Sequence, residues 1–208
     1  MQDRHLLYTI GHSSLEAQAF IKTLRMYHLS ALADVRSRPQ SHRHPQYNQS
    51  VLEALLRDEG IQYLFLGEEL GGRPDDPKAY REDGLVDYRV RRASRGFQQG
   101  IERVLAELQS RSLALMCAEE DPIECHRFLM VSPTLLEHGV EIVHIRRGGV
   151  LEPQRDAEDR LLQEQRWGAA ASNALFDRDR AAALDAAYLA QAERCAFRAD
   201  PRTVEYWY

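Results

Sequence analysis

The chain lacks the features that mark a secreted or a membrane protein. It has 208 residues and three cysteines, and no apolar run reaches the roughly 18 residues that a membrane helix needs. The first residues show no basic stretch followed by an apolar segment, so no signal peptide is expected. Three cysteines cannot all pair with one another, which favours reduced thiols in a cytoplasmic protein.

Lysine is almost absent, since Lys22 and Lys78 are the only two among 27 basic residues and all the others are arginines. A guanidinium group binds phosphate or carboxylate through two parallel hydrogen bonds, which an ammonium group cannot copy. Genomic base composition would produce the same excess, so the arginine content alone does not indicate a ligand. The formal net charge of −5 excludes a protein that is basic over its whole surface.

Neither G-x-x-x-x-G-K-[ST] nor G-x-G-x-x-G occurs, so the chain has no P-loop and no dinucleotide-binding fingerprint. Arginine is instead concentrated in two connecting segments that also carry tyrosine. The basic residues there are Arg36, Arg38, His42, Arg43, His44, Arg89, Arg91, Arg92 and Arg95. Such clusters predict a local positive surface that binds a phosphate-bearing small molecule or a nucleic acid. Arginines paired with acidic residues of the same loops are the structural alternative.

Apolar segments alternate with segments of helical periodicity up to about residue 150. Those typical of strands are Leu6–Ile10, Ala31–Val35, Ile61–Leu66, Leu113–Cys117 and Glu141–Ile145. This alternation is typical of β-α-β units and of a parallel sheet covered on both faces. The sequence therefore predicts the α/β class: a Rossmann-like three-layer sandwich with a mostly parallel sheet of about five strands.

Two further features concern helices. Ser13 and Glu16 have the spacing of a capping box, and Phe128–Leu136 is predicted to be helical. From residue 151 the chain becomes charged and rich in alanine, with helices expected over Arg155–Trp167 and Asn173–Ala196. We expect residues 1–150 to form the α/β domain that carries the site. Residues 151–208 are expected to be a helical extension packed on it, and a dimer through these helices is one alternative for the oligomeric state.

Polar residues that a buried sheet does not require follow three of the predicted strands. His12 follows the first strand, Arg36 follows the second, and Glu119 comes shortly after the fourth. In open parallel sheets, ligands bind in the crevice outside the carboxyl ends of the strands. The sequence therefore predicts a functional site at this edge of the sheet.

The segment from Cys117 to Arg127 holds the strongest candidates for chemistry. Glu119 is expected to act as a general acid, a general base or a nucleophile, with an ion pair to an arginine as the structural alternative. Cys125 is expected at the start of a helix, where the helix dipole and His126 favour a thiolate although neighbouring carboxylates oppose it. The predicted catalytic residues are Glu119, Cys125, His12 and His126.

The residues predicted to hold an anionic substrate are Ser13, Arg36, Arg38, Arg73 and Arg127. No cofactor is predicted. The alternative is a divalent metal ion with sulfur and nitrogen ligands, which would be Cys117, Cys125, His126 and His12. The spacing C-x7-C-H is not that of a zinc knuckle, and an adjacent cysteine and histidine are not expected to reach one ion easily.

Six short motifs follow one another along the chain. They are T-I-G-H-S (Thr9–Ser13), D-V-R-S-R-P-Q-S (Asp34–Ser41), L-G-G-R (Leu70–Arg73), M-C-A-E (Met116–Glu119), C-H-R (Cys125–Arg127) and V-H-I (Val143–Ile145). In these motifs and their order, residues 6–150 resemble the domain-of-unknown-function 488 family. The resemblance implies a single α/β domain in cytoplasmic, mostly bacterial proteins, and it brings no settled reaction. The family commonly has an aromatic residue just before the cysteine of C-H-R, where this chain has Ile123-Glu124, so stacking is not expected there.

Together these observations predict an enzyme of the hydrolase or transferase type. Its substrate would be anionic: a phosphate-bearing molecule, a nucleotide or a nucleic acid bound at the carboxyl ends of the strands. One alternative is a noncatalytic module that binds a nucleotide or a nucleic acid through its arginines. The other is a metal-binding protein with cysteine and histidine ligands.

Overall fold

The computed structural model describes residues 5–165 and 177–200. The strands are β1 (Leu6–Gly11), β2 (Ala31–Asp34), β3 (Gln62–Phe65), β4 (Leu113–Cys117), β5 (Glu141–Ile145) and β6 (Leu151–Pro153). They form one sheet in the order β3-β2-β4-β1-β5-β6, in which β6 alone is antiparallel to its neighbour. This confirms the predicted α/β class and its mostly parallel sheet. The sixth strand extends the sheet past residue 150.

Helices cover both faces of the sheet. They are α1 (Ala17–Met26), α2 (Gln49–Asp58), α3 (Gly67–Leu70), α4 (Tyr88–Ala93), α5 (Arg95–Leu108), α6 (Ser132–Glu137), α7 (Gln154–Glu164) and α8 (Asp177–Cys195). Along β4, Leu113 and Leu115 join the core that includes α5 to α8, whereas Ala114 and Met116 join the core that includes α1 and α2. This alternation of side chains between the two faces produces the three layers.

Of two local predictions, one was wrong and the other is confirmed. The capping box is not formed, because Ser13 lies in a turn with φ of 45° and donates its backbone N–H to the carbonyl of Ala118 at 2.8 Å. Helix α1 begins only at Ala17. The helix predicted over Phe128–Leu136 is present, with a π-type first segment, Arg127–Val131, that continues directly into α6. Val131 and Ser132 at the junction are both helical, and Pro133 follows them, where it has no N–H to donate to the preceding turn.

The C-terminal part of the described chain packs on the α/β body. Helices α7 and α8 correspond to the two helices predicted after residue 151, and residues 166–176 between them lie outside the described residues. Gln154 in α7 donates to the hydroxyl of Tyr188 at 2.8 Å, and Gln191 in α8 donates to the carbonyl of Ile123 at 3.1 Å. Among the described residues, no helix has both the length and the apolar character needed to cross a membrane.

His144 is a core histidine with both ring nitrogens paired. It lies 2.7 Å from the hydroxyl of Thr9 and 2.9 Å from Oε1 of Gln154, and it is fully buried. Burial, reinforced by the charge of Arg127, lowers its pKa from 6.5 to about 3. His144 is therefore protonated near pH 6.5 in the unfolded chain, but only near pH 3 in the folded protein.

This difference predicts loss of stability as the pH falls from about 6.5 toward 3, because protonation of His144 in that window stabilises only the unfolded chain. We expect His144→Gln to reduce the slope of unfolding free energy against pH in that window by up to about 1.4 kcal/mol per pH unit. Urea unfolding at several pH values measures the slope. His138→Gln, at an exposed position after α6, is the control, and equal slopes in both variants would contradict the assignment.

Candidate functional site

The topology of the sheet opens a crevice between β2 and β4. β2 connects to its neighbour β3 on one side, whereas β4 connects to β5 toward the other side. Ligands bind at such a reversal, outside the carboxyl ends of the strands. A cavity of about 600 Å³ lies there. The predicted site residues that line it are His12, Arg36, Arg38, Arg73, Cys117, Glu119, Cys125 and His126.

Four of these side chains converge in one group, which we call the floor cluster: Cys117, Glu119, Cys125 and His126. Their donor atoms all lie within 4.8 Å of one another, and the group could hold a metal ion. The Sγ atoms of Cys117 and Cys125 each lie 3.7 Å from Nδ1 of His126, and Oε2 of Glu119 lies 2.9 Å from Sγ of Cys117. The floor cluster therefore contains Glu119 where the sequence suggested His12 as a further ligand.

The backbone explains how the adjacent Cys125 and His126 face the same point, which the sequence did not lead us to expect. Cys125 is extended, with φ of −129° and ψ of 143°, whereas His126 is helical, with φ of −59°. Neighbouring side chains point apart in continuous strand, but a switch from extended to helical backbone removes that alternation. Nε2 of His126 donates to the carbonyl of Val35 at 3.0 Å, so in the neutral ring Nδ1 is free to bind a ligand.

Two glycines allow the chain to close around the floor cluster. A Cβ on Gly11 would lie 1.7 Å from the carbonyl oxygen of Glu119, and a Cβ on Gly72 would lie 2.9 Å from Cγ of His126. The first glycine belongs to T-I-G-H-S and the second to L-G-G-R. Steric fit therefore explains the glycine in each motif, because a side chain there would prevent the close approach of the chain to Glu119 or to His126.

Burial and mutual contacts shift the ionisation of the floor cluster. Burial raises the pKa of Cys117 well above that of an ordinary thiol, and it also raises the pKa of Glu119, although much of that residue is exposed. Burial opposes ionisation of Cys125, but a hydrogen bond with Cys117 and the charges of Arg127 and His126 outweigh it and lower the pKa. The pKa of His126 rises because Cys125 outweighs the opposing effect of burial. In the free cluster, Cys125 is thus the thiol that ionises first.

His12 and Arg36 form a rigid polar wall beside the floor cluster. Arg36 donates to Asp34 at 2.6 Å, to the carbonyl of Tyr47 at 2.8 Å and to Nε2 of His12 at 3.3 Å. The ring of His12 stacks on Tyr47 with 4.1 Å between centroids. Burial and then the charge of Arg36 lower the pKa of His12 to about 4, so the ring is neutral at physiological pH.

Comparison with known proteins identifies one family. The family described as "Domain of unknown function DUF488" matches residues 16–132, more than half of the chain. The chain belongs to this family. No curated protein and no solved structure matches the chain. The range matched by DUF488 includes Arg36 and the whole floor cluster, whereas His12 precedes it.

Two predicted substrate-binding residues of this DUF488 protein do not line the cavity. Arg127 is fully buried, and its guanidinium donates to Thr9 Oγ1 at 3.2 Å and to the carbonyls of Glu119 at 2.7 Å and Glu120 at 3.0 Å. These contacts favour a role in holding the loop that carries Glu119. Ser13 lies in the turn after β1 and contributes its backbone N–H to that same loop.

The arginines predicted to form the second basic cluster do not line the cavity, and they are Arg89, Arg91, Arg92 and Arg95. Arg91 donates to the carbonyls of Glu68 at 2.6 Å and Glu69 at 2.7 Å, and Arg92 donates to Thr134 at 2.8 Å. They tie α4 to its neighbours. Arg38 and Arg73, by contrast, are exposed at the cavity and form no salt bridge with any residue that the structure describes.

Sequence reasoning missed the residues at the end of α8 and just after it. Cys195, Phe197 and Arg198 line the cavity together with residues from the DUF488 match. They are separated from Cys125 by about 70 positions and lie outside both the matched range and the family motifs. The sequence carries no local signal that would place them at the site.

Proposed function

We propose that this protein is an enzyme that acts on an anionic substrate in the cavity, with a zinc ion bound by Cys117, Cys125 and His126. One observation carries the proposal: three donor atoms with the spacing of a zinc site lie beneath arginines that have no acidic partner among the described residues. Thiolate ligands remain reduced in the cytoplasm, which is where we expect the enzyme to act.

The distances support zinc. Zn–S bonds of about 2.3 Å and Zn–N bonds of about 2.0–2.1 Å in a tetrahedral site separate a sulfur from a nitrogen ligand by roughly 3.6 Å. The separations from His126 Nδ1 to the sulfurs of Cys117 and Cys125 are both 3.7 Å. The hydrogen bond from Nε2 to Val35 is the outer contact that typically orients a histidine ligand. Thiolates and imidazole are also ligands that suit zinc.

Glu119 stands beside the three proposed ligands. A catalytic zinc site keeps one position open for water or substrate, and the bound ion makes water a nucleophile at neutral pH. The Glu119 carboxylate, 2.9 Å from Sγ of Cys117 and partly exposed, is positioned to take a proton from such a water and to return it to a leaving group. A hydrolytic reaction is therefore the chemistry that this arrangement supports best.

The rim favours an anion. Arg38 and Arg73 supply guanidinium groups that form no salt bridge with a described acidic residue, whereas Arg36 pairs with Asp34 at 2.6 Å. A cavity of about 600 Å³ has the size of small-molecule sites, so a nucleotide-sized phosphate compound fits better than a nucleic-acid strand. A noncatalytic module that uses the same arginines would bind its ligand without need of metal or Glu119.

A second candidate is thiol chemistry without a metal. Cys125 lies at the cavity with its Sγ 3.7 Å from Nδ1 of His126, which is the pairing of a nucleophile with a base. In this case the Cys125 sulfur would bond to the phosphorus of the substrate while the ester oxygen leaves with the proton that His126 holds. A water would then release phosphate and restore the thiol, and Cys117 would be a buried neighbour.

Metal analysis separates the candidates. We expect about one zinc ion per chain in protein purified without affinity-tag metal or chelator. Cys125→Ser and His126→Ala should lose most of it, whereas Glu119→Gln should keep it and lose turnover. Cys195→Ser is the control, because Cys195 lines the cavity but lies outside the floor cluster. Wild-type protein that neither contains zinc nor gains melting temperature when zinc is added would exclude the metal and leave the thiol candidate, which alkylation of Cys125 then tests.

A further inference from the structure

One wall of the cavity comes from the last residue of α8 and the three residues that follow it, Cys195–Arg198, which we call the C-terminal wall. It lies outside the range that matches the family. Its backbone is fixed to the loop before α4, because Val86 donates to the carbonyl of Phe197 at 3.0 Å and Ala199 donates to the carbonyl of Gly84 at 2.9 Å. The C-terminal wall is therefore held in place next to the site by regular backbone hydrogen bonds.

Arg73 and Phe197 meet at the cavity. The guanidinium carbon of Arg73 lies 4.6 Å from the centroid of the Phe197 ring, within the range of a cation–π contact. The backbone N–H of Arg73 donates to Oγ of Ser37 at 2.8 Å, which fixes the base of the side chain. Contact with the ring leaves the N–H groups of the guanidinium available, and they have no acceptor among the described residues.

Arg198, which belongs to the C-terminal wall, has an acidic partner, whereas Arg73, which contacts the wall through Phe197, has none that the structure describes. Arg198 donates to the carboxylate of Asp83 at 2.7 Å and to the carbonyl of the same residue at 2.9 Å. Arg73 has neither kind of partner among the described residues. A long exposed arginine loses rotamer freedom when it binds a ligand, and the contact of Arg73 with Phe197 limits that freedom in advance.

We infer that Phe197 is a positioning residue that holds the Arg73 guanidinium ready for the phosphate group of a small-molecule phosphate monoester. Arg38, exposed on the same cavity, supplies a second guanidinium, and two such groups suit an anion with more than one charge. This inference rests on the proposed function and names its substrate class. It also makes the C-terminal wall, rather than the family domain alone, the part that determines affinity for the substrate.

Calorimetric titration of the full chain with inorganic phosphate and with AMP tests the inference. Phe197→Leu keeps an apolar side chain but removes the aromatic face, and we expect it to weaken both ligands by roughly fivefold. Phe197→Tyr keeps the face and should stay within about twofold of wild type. Arg73→Ala should weaken both ligands by about tenfold or more. Leu189→Ala, at an exposed position of α8 that does not line the cavity, is the control.

Each other outcome has a defined meaning. If Phe197→Leu binds both ligands as wild type does while Arg73→Ala does not, Phe197 does not position Arg73 and the inference fails. If Phe197→Leu weakens AMP alone, the ring contacts the nucleoside instead, and the inference also fails. If wild type binds neither ligand, both the proposed anion site and the inference are contradicted. The measurement of zinc content still tests the proposed metal site. Titrations at a temperature well below the melting point of every variant, with equal zinc contents, exclude a general loss of structure.

Discussion

Arg127→Met is expected to lower the free energy of unfolding by about 3–5 kcal/mol, the cost typical of breaking a buried charged contact. The Arg127 side chain is fully buried, and its three donor nitrogens pair with Thr9 Oγ1 and with the carbonyls of Glu119 and Glu120. Methionine has a similar length but no donor, so these acceptors would lose their partner. Because both carbonyls belong to the loop that carries Glu119, the variant should also bind zinc more weakly. Urea unfolding and zinc titration measure the two effects.

Two control variants isolate the cause. Arg127→Lys keeps the charge but cannot reach three acceptors, so it should recover only part of the lost stability. Arg146→Gln removes a partly exposed arginine that pairs with the side chain of Glu120 in the same loop at 2.9 Å and also with Asp121 and Glu152. Its partners are side chains that reach solvent, so this variant should cost less than Arg127→Met, about 1–2 kcal/mol. If Arg127→Met and Arg146→Gln lower the free energy of unfolding equally, the contacts of Arg127 with backbone carbonyls do not stabilise the fold more than a partly exposed ion pair does.

Gly11→Ala is expected to destabilise the protein by about 3 kcal/mol or more, the upper range for overpacking of a tight interior. The new methyl group would lie 1.7 Å from the carbonyl oxygen of Glu119 and 2.9 Å from Cα of Glu120. Both contacts are with backbone, so no side-chain rotation relieves them. The loop after β4 must move, and with it the Glu119 carboxylate. We therefore expect lower stability and lower zinc affinity together.

Gly96→Ala is the matched control for Gly11→Ala. Gly96 lies in α5, and a Cβ there would meet nothing within 4 Å. Alanine favours helix over glycine by up to about 1 kcal/mol, so this variant should be as stable as wild type or slightly more so. Thermal unfolding of both variants checks the pair. Stability of Gly11→Ala within about 1 kcal/mol of wild type would contradict the close approach of the loop.

Much of the fold could be predicted from the sequence, because strands buried on both faces are apolar runs whose signal is local. The strand predicted at Leu113–Cys117 and the one at Glu141–Ile145 have those bounds in the structure, and β2 differs from its prediction by one residue. The three residues of β6 lack such a signal. They form a strand because the edge of β5 offers unpaired backbone groups, which is information from the assembled sheet.

The site was predictable in part for the same reason. The carboxyl ends of parallel strands meet at one edge, so His12, Arg36 and Glu119 were expected together, and all three line the cavity. The inward orientation of the Arg127 side chain was not predictable, since it depends on which carbonyls of the folded loop lack a hydrogen-bond donor. The contact of Phe197 with Arg73 joins segments more than 100 residues apart, and no pattern along the chain records it.

The place of β1 in the sheet has a consequence for folding. β1 is an early segment of the chain, but both of its neighbours come late: Leu7 lies beside Leu113 of β4 and Ile142 of β5. During synthesis β1 has neither of its neighbouring strands to pair with until more than 100 further residues have left the ribosome. Contacts of such long sequence separation slow folding and leave strands exposed to aggregation. We therefore expect slow refolding, and aggregation when β5 is absent, because β1 would then keep one edge uncovered at the centre of the sheet.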